Sequence, residues 1–456
     1  MLLKRMLEQL SGRYSPVLNS IRVPLALMLS ERRNKRHSKI DYLIGIVSNS
    51  LFLIRSFLLN KIRANEMGPL KQDYVFVIDH NREPLIKVFL DLVRTIPSDD
   101  ICILTVNRSI YERLSKDNVC NILYVEKLTD INLKDIKLSL EMLNGLAKID
   151  PCMPIFDKFS IFVNLLKIIC FERVYERILS NNVCSVVTLC DANLNEQVIT
   201  RVGNKYDIGT YTLQHGMINM LWFPIVSKTF FVWNQHTKDI CGQNYGVDPS
   251  QMVISGNPFI EAQNIRKRSN DLFTITYIVT NWGETENRIL FKLFLKVSKF
   301  ENIRLIVKIR PNPPAKMLSL YYSWMSKKER ERIKVVSNKD IQDVLAETDL
   351  IVTFHSGVPV DAMAYNIPTI LLDIFEEIDL KSLMSHYDDC IVVNTQEDYL
   401  NIANKMINDR DCYNGFVENV INCKEKYFPN MEKGDVLRLL NEKIVSDERK
   451  DSALTV

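Results

Sequence analysis

Two residue clusters near the middle of the chain place chemistry-bearing groups at the end of a predicted strand. His215 and Gly216 follow one apolar run, and Gly256 and Asn257 follow another. An imidazole at a strand end can act as general acid or base or donate to a phosphate, and a glycine permits a sharp turn. Backbone N–H groups in a glycine-bearing turn can hold a phosphate. A simple structural turn is the alternative for both clusters.

Two further clusters in the second half suit an anion. Lys308 and Arg310 end a strand and, two residues apart, point to the same side; two cations there suit a diphosphate, and arginine can make a forked contact. Ser356 and Gly357 lie between a strand and a helix, whose first amide groups can bind a phosphate. Asp361, about one turn into that helix, could accept hydrogen bonds from sugar or ribose hydroxyls. The alternatives are a solvated cation pair and a serine that only caps its helix.

Short apolar strands alternate with helices from residue 72 onwards, and this pattern places the clusters. The predicted strands are 73–80, 100–107, 121–128, 183–190, 207–216, 229–235, 251–257, 274–282, 304–311, 333–338, 349–357, 367–373 and 390–394. Such alternation implies parallel sheets covered on both faces. The sequence therefore predicts an α/β protein with two Rossmann-like, doubly wound domains, whose ligands bind at the carboxyl ends of the strands in an interdomain cleft.

The length of 456 residues exceeds what one hydrophobic core supports. We predict a basic helical arm at 1–71, an N-terminal Rossmann-like acceptor domain at 72–228, a C-terminal Rossmann-like donor domain at 229–415, and C-terminal helices and a tail at 416–456. A net charge of +3 without a dominant Lys/Arg stripe argues against a nucleic-acid partner.

The arm at 1–71 holds 13 Lys and Arg against four Asp and Glu. Its apolar stretch at 42–59 contains polar residues and an arginine, so it is a poor membrane span. Two interpretations are open: a helix on an anionic membrane surface or a partner, and a helical hairpin that covers the protein's own core. Ten scattered cysteines without a C-x-x-C pair indicate a reducing compartment. We expect a cytoplasmic protein, with the arm as its point of contact if it meets the inner face of the membrane.

The order of the four clusters resembles the GT-B superfamily of glycosyltransferases, and within it the capsule, lipopolysaccharide and teichoic-acid transferases. The matching segments are 214–216, 256–258, 308–311 and 349–368. Two residues depart from the family pattern. Arg310 stands where the family has histidine, and Asn366 replaces a glycine whose left-handed turn asparagine can also adopt.

The resemblance implies a nucleotide-sugar donor held by the C-terminal domain, with His215 reaching the cleft from the N-terminal domain. The implied donor-binding residues are Thr280, Lys308, Arg310, Ser356, Gly357 and Asp361, together with Gly256 and Asn257.

Transfer from such a donor requires a stabilised leaving phosphate and a base for the acceptor hydroxyl. The one D-x-D sequence, 409–411, follows no predicted strand. We therefore expect no metal and no other cofactor, because fixed cations and a helix N-terminus can stabilise the phosphate. His215 and Asp191 are the candidate bases, and His80 and Asp79 also lie at a strand end.

These observations favour a metal-independent glycosyltransferase that moves a sugar from a nucleotide-sugar donor to a growing surface polysaccharide or lipid-linked acceptor. One alternative is a CDP-glycerol-type polyol-phosphate transferase or a sugar-nucleotide epimerase on the same scaffold. A second alternative is a binding module without catalysis.

Overall fold

The structure is a computed structural model, and it divides the chain into two compact units. The first contains Met1–Val232, Cys241–Phe259 and Gly434–Val456, and the second contains Trp233–Ile240 and Ile260–Lys433. Each unit has one parallel sheet, so the predicted α/β fold with two parallel-sheet domains is confirmed. The residues described are 50, 52–53, 56, 69–79, 83–116, 121–149, 155–179, 183–189, 193–216, 218, 222–259, 272–280, 284–310, 315–354, 356–375, 390–428 and 437–444.

The sheet of the first unit has seven strands in the order β3-β2-β1-β4-β5-β6-β7. They are β1 (Tyr74–Val77), β2 (Ile101–Thr105), β3 (Asn121–Tyr124), β4 (Ser185–Thr188), β5 (Gly209–Leu213), β6 (Thr229–Val232) and β7 (Met252–Ile254). The helices that follow them are α1 (Glu83–Val93), α2 (Arg108–Lys116), α3 (Leu133–Ile149), α4 (Ile155–Ile178), α5 (Leu194–Lys205) and α6 (Gln235–Tyr245). The strand order reverses between β1 and β4, and ligands of such sheets bind beside this point.

Both faces of this sheet are buried, as continuous apolar strands require. Val75 and Val77 pack with residues of α4 and α5 on one face. Tyr74 and Phe76 alternate with them and pack with residues of α1 on the other. Because successive side chains of β1 point to opposite faces, this strand contributes to the hydrophobic cores on both faces of the sheet.

Strands β6 and β7 correct one prediction. The sequence placed 229–235 and 251–257 at the start of the second domain, but β6 pairs with β5, and β7 pairs with β6, in the first sheet. An apolar run predicts a strand, whereas its sheet is decided by hydrogen bonds to distant residues. The first unit consequently extends to Phe259 and also takes up the chain from Gly434.

The sheet of the second unit has six strands in the order β10-β9-β8-β11-β12-β13. They are β8 (Phe273–Ile278), β9 (Ile303–Lys308), β10 (Ile333–Val336), β11 (Leu350–Thr353), β12 (Thr369–Leu372) and β13 (Ile391–Val393). Its helices are α7 (Glu284–Phe294), α8 (Ala315–Trp324), α9 (Lys327–Arg332), α10 (Ile341–Leu345), α11 (Val358–Ala364), α12 (Gln396–Asn408) and α13 (Arg410–Tyr427). Here the order reverses between β8 and β11, which brings the carboxyl ends of β9, β8 and β11 side by side.

Described residues of the apolar stretch 42–59 pack within the first unit. Phe52 is buried against a cluster that includes Val163 and Leu166 of α4. Ser56 is buried, and its Oγ lies 2.8 Å from Oγ1 of Thr129. This agrees with the interpretation that the stretch covers the protein's own core. The membrane-contact prediction for the arm falls largely on residues outside those described. Among the described helices, none is both long and apolar enough to cross a bilayer.

Candidate functional site

Three neighbouring strand ends of the second unit carry most of the predicted site. Thr280 lies two residues after β8, Arg310 lies two residues after β9, and Ser356 follows β11. Because β9 and β11 flank β8 in a parallel sheet, all three residues lie at the carboxyl edge. Adjacent strands are about 4.8 Å apart, which puts the ends of β9 and β11 about 10 Å from each other. This is a spacing that one diphosphate and its ribose can span.

Thr280 occupies the centre of this edge and has an unsatisfied hydroxyl. The residue is buried, and its Oγ1 has no hydrogen-bond partner. A buried polar group without a partner costs roughly 1–3 kcal/mol. A ligand atom at the end of β8 would remove this cost, so Thr280 is a candidate contact for a bound molecule.

The two cations that end β9 differ in their surroundings. Lys308 is buried, and its Nζ donates to the carbonyl oxygens of Ile309 at 3.0 Å and Ser337 at 2.8 Å. Burial lowers the pKa of Lys308. Lys308 thus ties the end of β9 to the residue after β10, while Arg310 is exposed to solvent.

The turn after β11 orders the start of α11. Ser356 Oγ accepts a hydrogen bond from the backbone N–H of Val358 at 3.2 Å, and Gly357 occupies the N-cap position. Ser356 therefore shapes the turn from the position before the N-cap, whereas the alternative interpretation of the sequence made it the N-cap itself. The N–H groups of Val358 and Val360 are taken by Ser356 Oγ and the carbonyl of Gly357, and Pro359 has none. This helix start therefore offers a ligand the positive end of its dipole rather than free amide groups.

Asp361 lies in the first turn of α11 and is partly buried. Burial raises the pKa of its carboxyl group to about 7. Near neutral pH the group is therefore divided between acid and carboxylate, and it can donate or accept a hydrogen bond. Behind α11, Asn366 has a φ of 58°, so it adopts the left-handed turn that the sequence predicted.

His215 follows β5 in the first unit, beside the end of β4. Its Nδ1 lies 2.5 Å from the carbonyl oxygen of Leu189, and its ring packs 4.7 Å from that of Trp222. A carbonyl can only accept, so Nδ1 carries the proton. In the neutral ring Nε2 is consequently the basic nitrogen, which suits a general base.

The other base candidates have different positions. Asp79 lies two residues after β1, and its carboxylate accepts from the backbone N–H of Val106 at 2.8 Å and from Nδ2 of Asn195 at 2.6 Å. Burial is the main cause that raises the pKa of Asp79. Tyr175 in turn donates to Oδ1 of Asn195. Asp79 therefore belongs to a buried hydrogen-bond network that no sequence motif predicted. The polar residues 195–197 at the start of a helix were the only feature of the sequence that could have indicated it. Asp191 and His80 lie outside the described residues.

Gly256 and Asn257 follow β7 and therefore belong to the first unit rather than to the donor domain in which the sequence placed them. Gly256 has a φ of 78°, which only glycine adopts readily. Asn257 accepts from the backbone N–H of Phe259 at 2.9 Å, and its buried Nδ2 has no hydrogen-bond partner. This amide is a second candidate contact for a bound molecule.

Within the described ranges, no three His, Cys, Asp or Glu side chains are grouped as metal ligands.

Comparisons with known proteins give a fold and no family assignment. No family model and no curated protein matches the sequence. The UDP-N-acetylglucosamine 2-epimerase of Neisseria meningitidis, solved bound to its UDP-sugar, superposes with a TM-score of 0.52 at 12% identity over 82% of this chain and 99% of that one. Anabaena HepE, solved in complex with UDP and glucose, gives 0.51 at 11% over 82% and 100%.

The wall teichoic acid polymerase TagF gives a TM-score of 0.51 at 10% identity, over 91% of this chain and 100% of that one. Identities this low establish the fold alone. The chain therefore has a GT-B-type fold, as the order of its motifs predicted, and it shares this fold with enzymes of UDP-sugars and of surface-polymer synthesis.

Proposed function

We propose that this chain is a glycosyltransferase that moves a sugar from a nucleotide-sugar donor to a growing surface polysaccharide or lipid-linked acceptor. The observation that carries the proposal is the carboxyl edge of the second sheet. There the unsatisfied hydroxyl of Thr280 lies between the arginine that follows β9 and the helix start that follows β11. The GT-B-type fold shared with UDP-sugar enzymes supports it.

In this proposal the donor diphosphate binds the second unit without a metal ion. The guanidinium of Arg310 and the positive end of the α11 dipole offset the charge that builds on the leaving phosphate. Thr280 gains its missing hydrogen bond, and Asp361 accepts from a ribose or sugar hydroxyl. Lys308, whose ammonium already donates to two carbonyls, keeps the strand end in place.

His215 is the proposed base. Its Nε2 would take the proton of the acceptor hydroxyl, while the contact between Nδ1 and Leu189 fixes the tautomer. Removing a general base typically lowers a rate about 10²–10⁴-fold. Asp191 is the other proposed base, and activity measurements on the two alanine variants separate them.

A ligand screen tests donor binding directly. Thermal unfolding is measured with UDP, CDP, GDP and CMP, and a nucleotide at 100 times its dissociation constant should stabilise the chain by about 2.7 kcal/mol. Arg310→Ala and Ser356→Ala should lose this stabilisation. Lys334→Ala, which removes an exposed cation of β10 in the same unit, should keep it. Unchanged nucleotide affinity in both site variants would contradict the proposal.

A sugar-nucleotide epimerase is the second candidate, because the superposed Neisseria enzyme is a UDP-N-acetylglucosamine 2-epimerase. Product analysis separates the possibilities. A glycosyltransferase forms a new glycosidic bond, a polyol-phosphate transferase forms a phosphodiester, and an epimerase returns an isomerised free nucleotide sugar. A binding module would take up nucleotide and yield none of these products.

A further inference from the structure

Lys424 of α13 reaches the carboxyl end of α11, the helix that carries Asp361. Its Nζ donates to the backbone carbonyl of Ala364 at 3.1 Å and to Oδ1 of Asn366 at 3.2 Å. The lysine is partly buried, and burial lowers its pKa. Because its ammonium group is partly desolvated and donates to two neutral oxygens, Lys424 has a structural role at the carboxyl end of α11.

The hydrogen bonds at the carboxyl end of α11 show what Lys424 does there. The carbonyls of Ala362 and Met363 accept from backbone N–H groups of the following turn. Ala364 is fully buried, and its carbonyl accepts from Lys424. The lysine therefore closes the end of the helix, and its charge also complements the negative end of the helix dipole.

The position of this contact matters because α11 is short. Its seven residues span about 10 Å, so the end held by Lys424 and the start beside Ser356 belong to one small rigid body. Asp361 lies midway along it. A shift at the carboxyl end therefore displaces both Asp361 and the first amide groups of the helix.

We propose that Lys424 is a positioning residue for the donor site: by fixing the carboxyl end of α11, it sets where Asp361 and the helix start lie relative to the ends of β8 and β9. It touches no substrate in this role. The inference rests on the proposed function, because it assumes that the edge of the second sheet binds a nucleotide.

Calorimetric binding of UDP, CDP, GDP and CMP, each measured separately, tests the inference. Lys424→Met keeps the length of the side chain and removes the donor, so the dissociation constant of the best nucleotide should rise about tenfold. Lys424→Arg, which can still donate to the Ala364 carbonyl, should stay within about threefold of the native value. Lys405→Met, at an exposed lysine of α12, is the matched control and should change nothing.

The outcomes are distinct. A purely structural role would lower the melting temperature of Lys424→Met and leave its nucleotide affinity native, which would overturn the inference while the proposed function stands. If the native chain binds none of the four nucleotides, the proposed function fails and the inference with it. If Lys424→Met does not fold, Lys424→Gln decides, because it stays polar at this partly buried position while its shorter, neutral side chain cannot reach both the Ala364 carbonyl and Asn366. An affinity within about threefold of the native value in that variant overturns the inference, and a loss of about tenfold supports it.

Discussion

The carboxyl group of Asp361 links the stability of the second unit to pH. Its ordinary pKa is 3.8, and burial raises it to about 7 in the folded chain. A ligand hydroxyl that donates to this group favours its charged form and would lower the pKa again. Burial of Asp361 therefore makes the folded chain less stable at neutral pH, and a ligand hydroxyl that donates to the carboxylate would offset part of this loss.

The Asp361→Asn variant should reveal how much folding stability the buried carboxyl group costs at neutral pH. Well below pH 3.8 both folded and unfolded states carry the proton, so the aspartate imposes no penalty. As pH rises towards 7, only the unfolded state loses its proton, and the native chain loses stability until its own carboxyl ionises. The advantage of the asparagine variant should grow across this window to at most about 4 kcal/mol. Urea unfolding from pH 4 to 8 measures it, and an advantage independent of pH would contradict the assignment.

The sequence could identify such groups by position but not by environment. Asp361 was recognised as one turn into a helix that follows a strand. Its pKa is raised by burial, and the helical periodicity does not reveal how deeply a carboxyl group is buried. The same holds for Lys308: the strand pattern placed two cations together, yet the carbonyl of Ser337 that receives one of them belongs to the segment after another strand.

A buried polar network joins two strands and two helices of the first unit, beside the point where the strand order of the sheet reverses. The network is formed by Asp79 after β1, Val106 after β2, Asn195 in the first turn of α5 and Tyr175 on α4. Asn195 is central, because it donates to Asp79 and accepts from the hydroxyl of Tyr175. The network therefore sets the geometry of three strand and helix ends beside the switch point.

Replacing Asn195 should cost more than replacing Tyr175. Asn195→Ala leaves both the Asp79 oxygen and the Tyr175 hydroxyl without their partner, and we expect a loss of about 2–4 kcal/mol in unfolding free energy. Tyr175→Phe leaves one amide oxygen unsatisfied, and we expect about 1 kcal/mol. Asn144→Ala, on an exposed position of α3, is the control. Denaturant unfolding compares the three, and a loss in Asn195→Ala no larger than the control's would contradict the role of the network.

Most elements were predictable because their strands are short runs of Val, Ile and Phe with helices between them. What local pattern could not show is which strand neighbours which. That is why β6 and β7 were assigned to the second domain, and why Gly256 and Asn257 were placed with the donor residues. The carbonyl partner of His215 was missed for the same reason, since Leu189 follows a different strand.

On the scale of the whole molecule, neither unit is continuous in sequence. The first unit takes residues before Val232, a middle piece up to Phe259 and the stretch after Gly434. It also uses Phe52 and Ser56, which the predicted boundary at residue 71 had separated from it. The arm is thus not one detachable piece.

Two truncations should separate its parts. Nine of the thirteen Lys and Arg residues of the arm lie within 1–41, ahead of the apolar stretch. Deleting 1–41 should weaken sedimentation with anionic vesicles. Deleting 1–68 should also lower the melting temperature, because it removes Phe52 from its buried cluster. Equal melting temperatures for the two truncations would show that Phe52 contributes little, and unchanged sedimentation would exclude the basic segment as a membrane contact.

The helical segment 437–444 has a consequence for biosynthesis. Leu440 and Ile444 are buried in the same cluster as Phe76 and Phe89, which were translated more than 350 residues earlier. A ribosome-bound chain therefore cannot complete the core of its first unit until the second has been made. During that interval, at about 5–20 residues per second, an apolar surface stays open for some tens of seconds and is a natural substrate for chaperones.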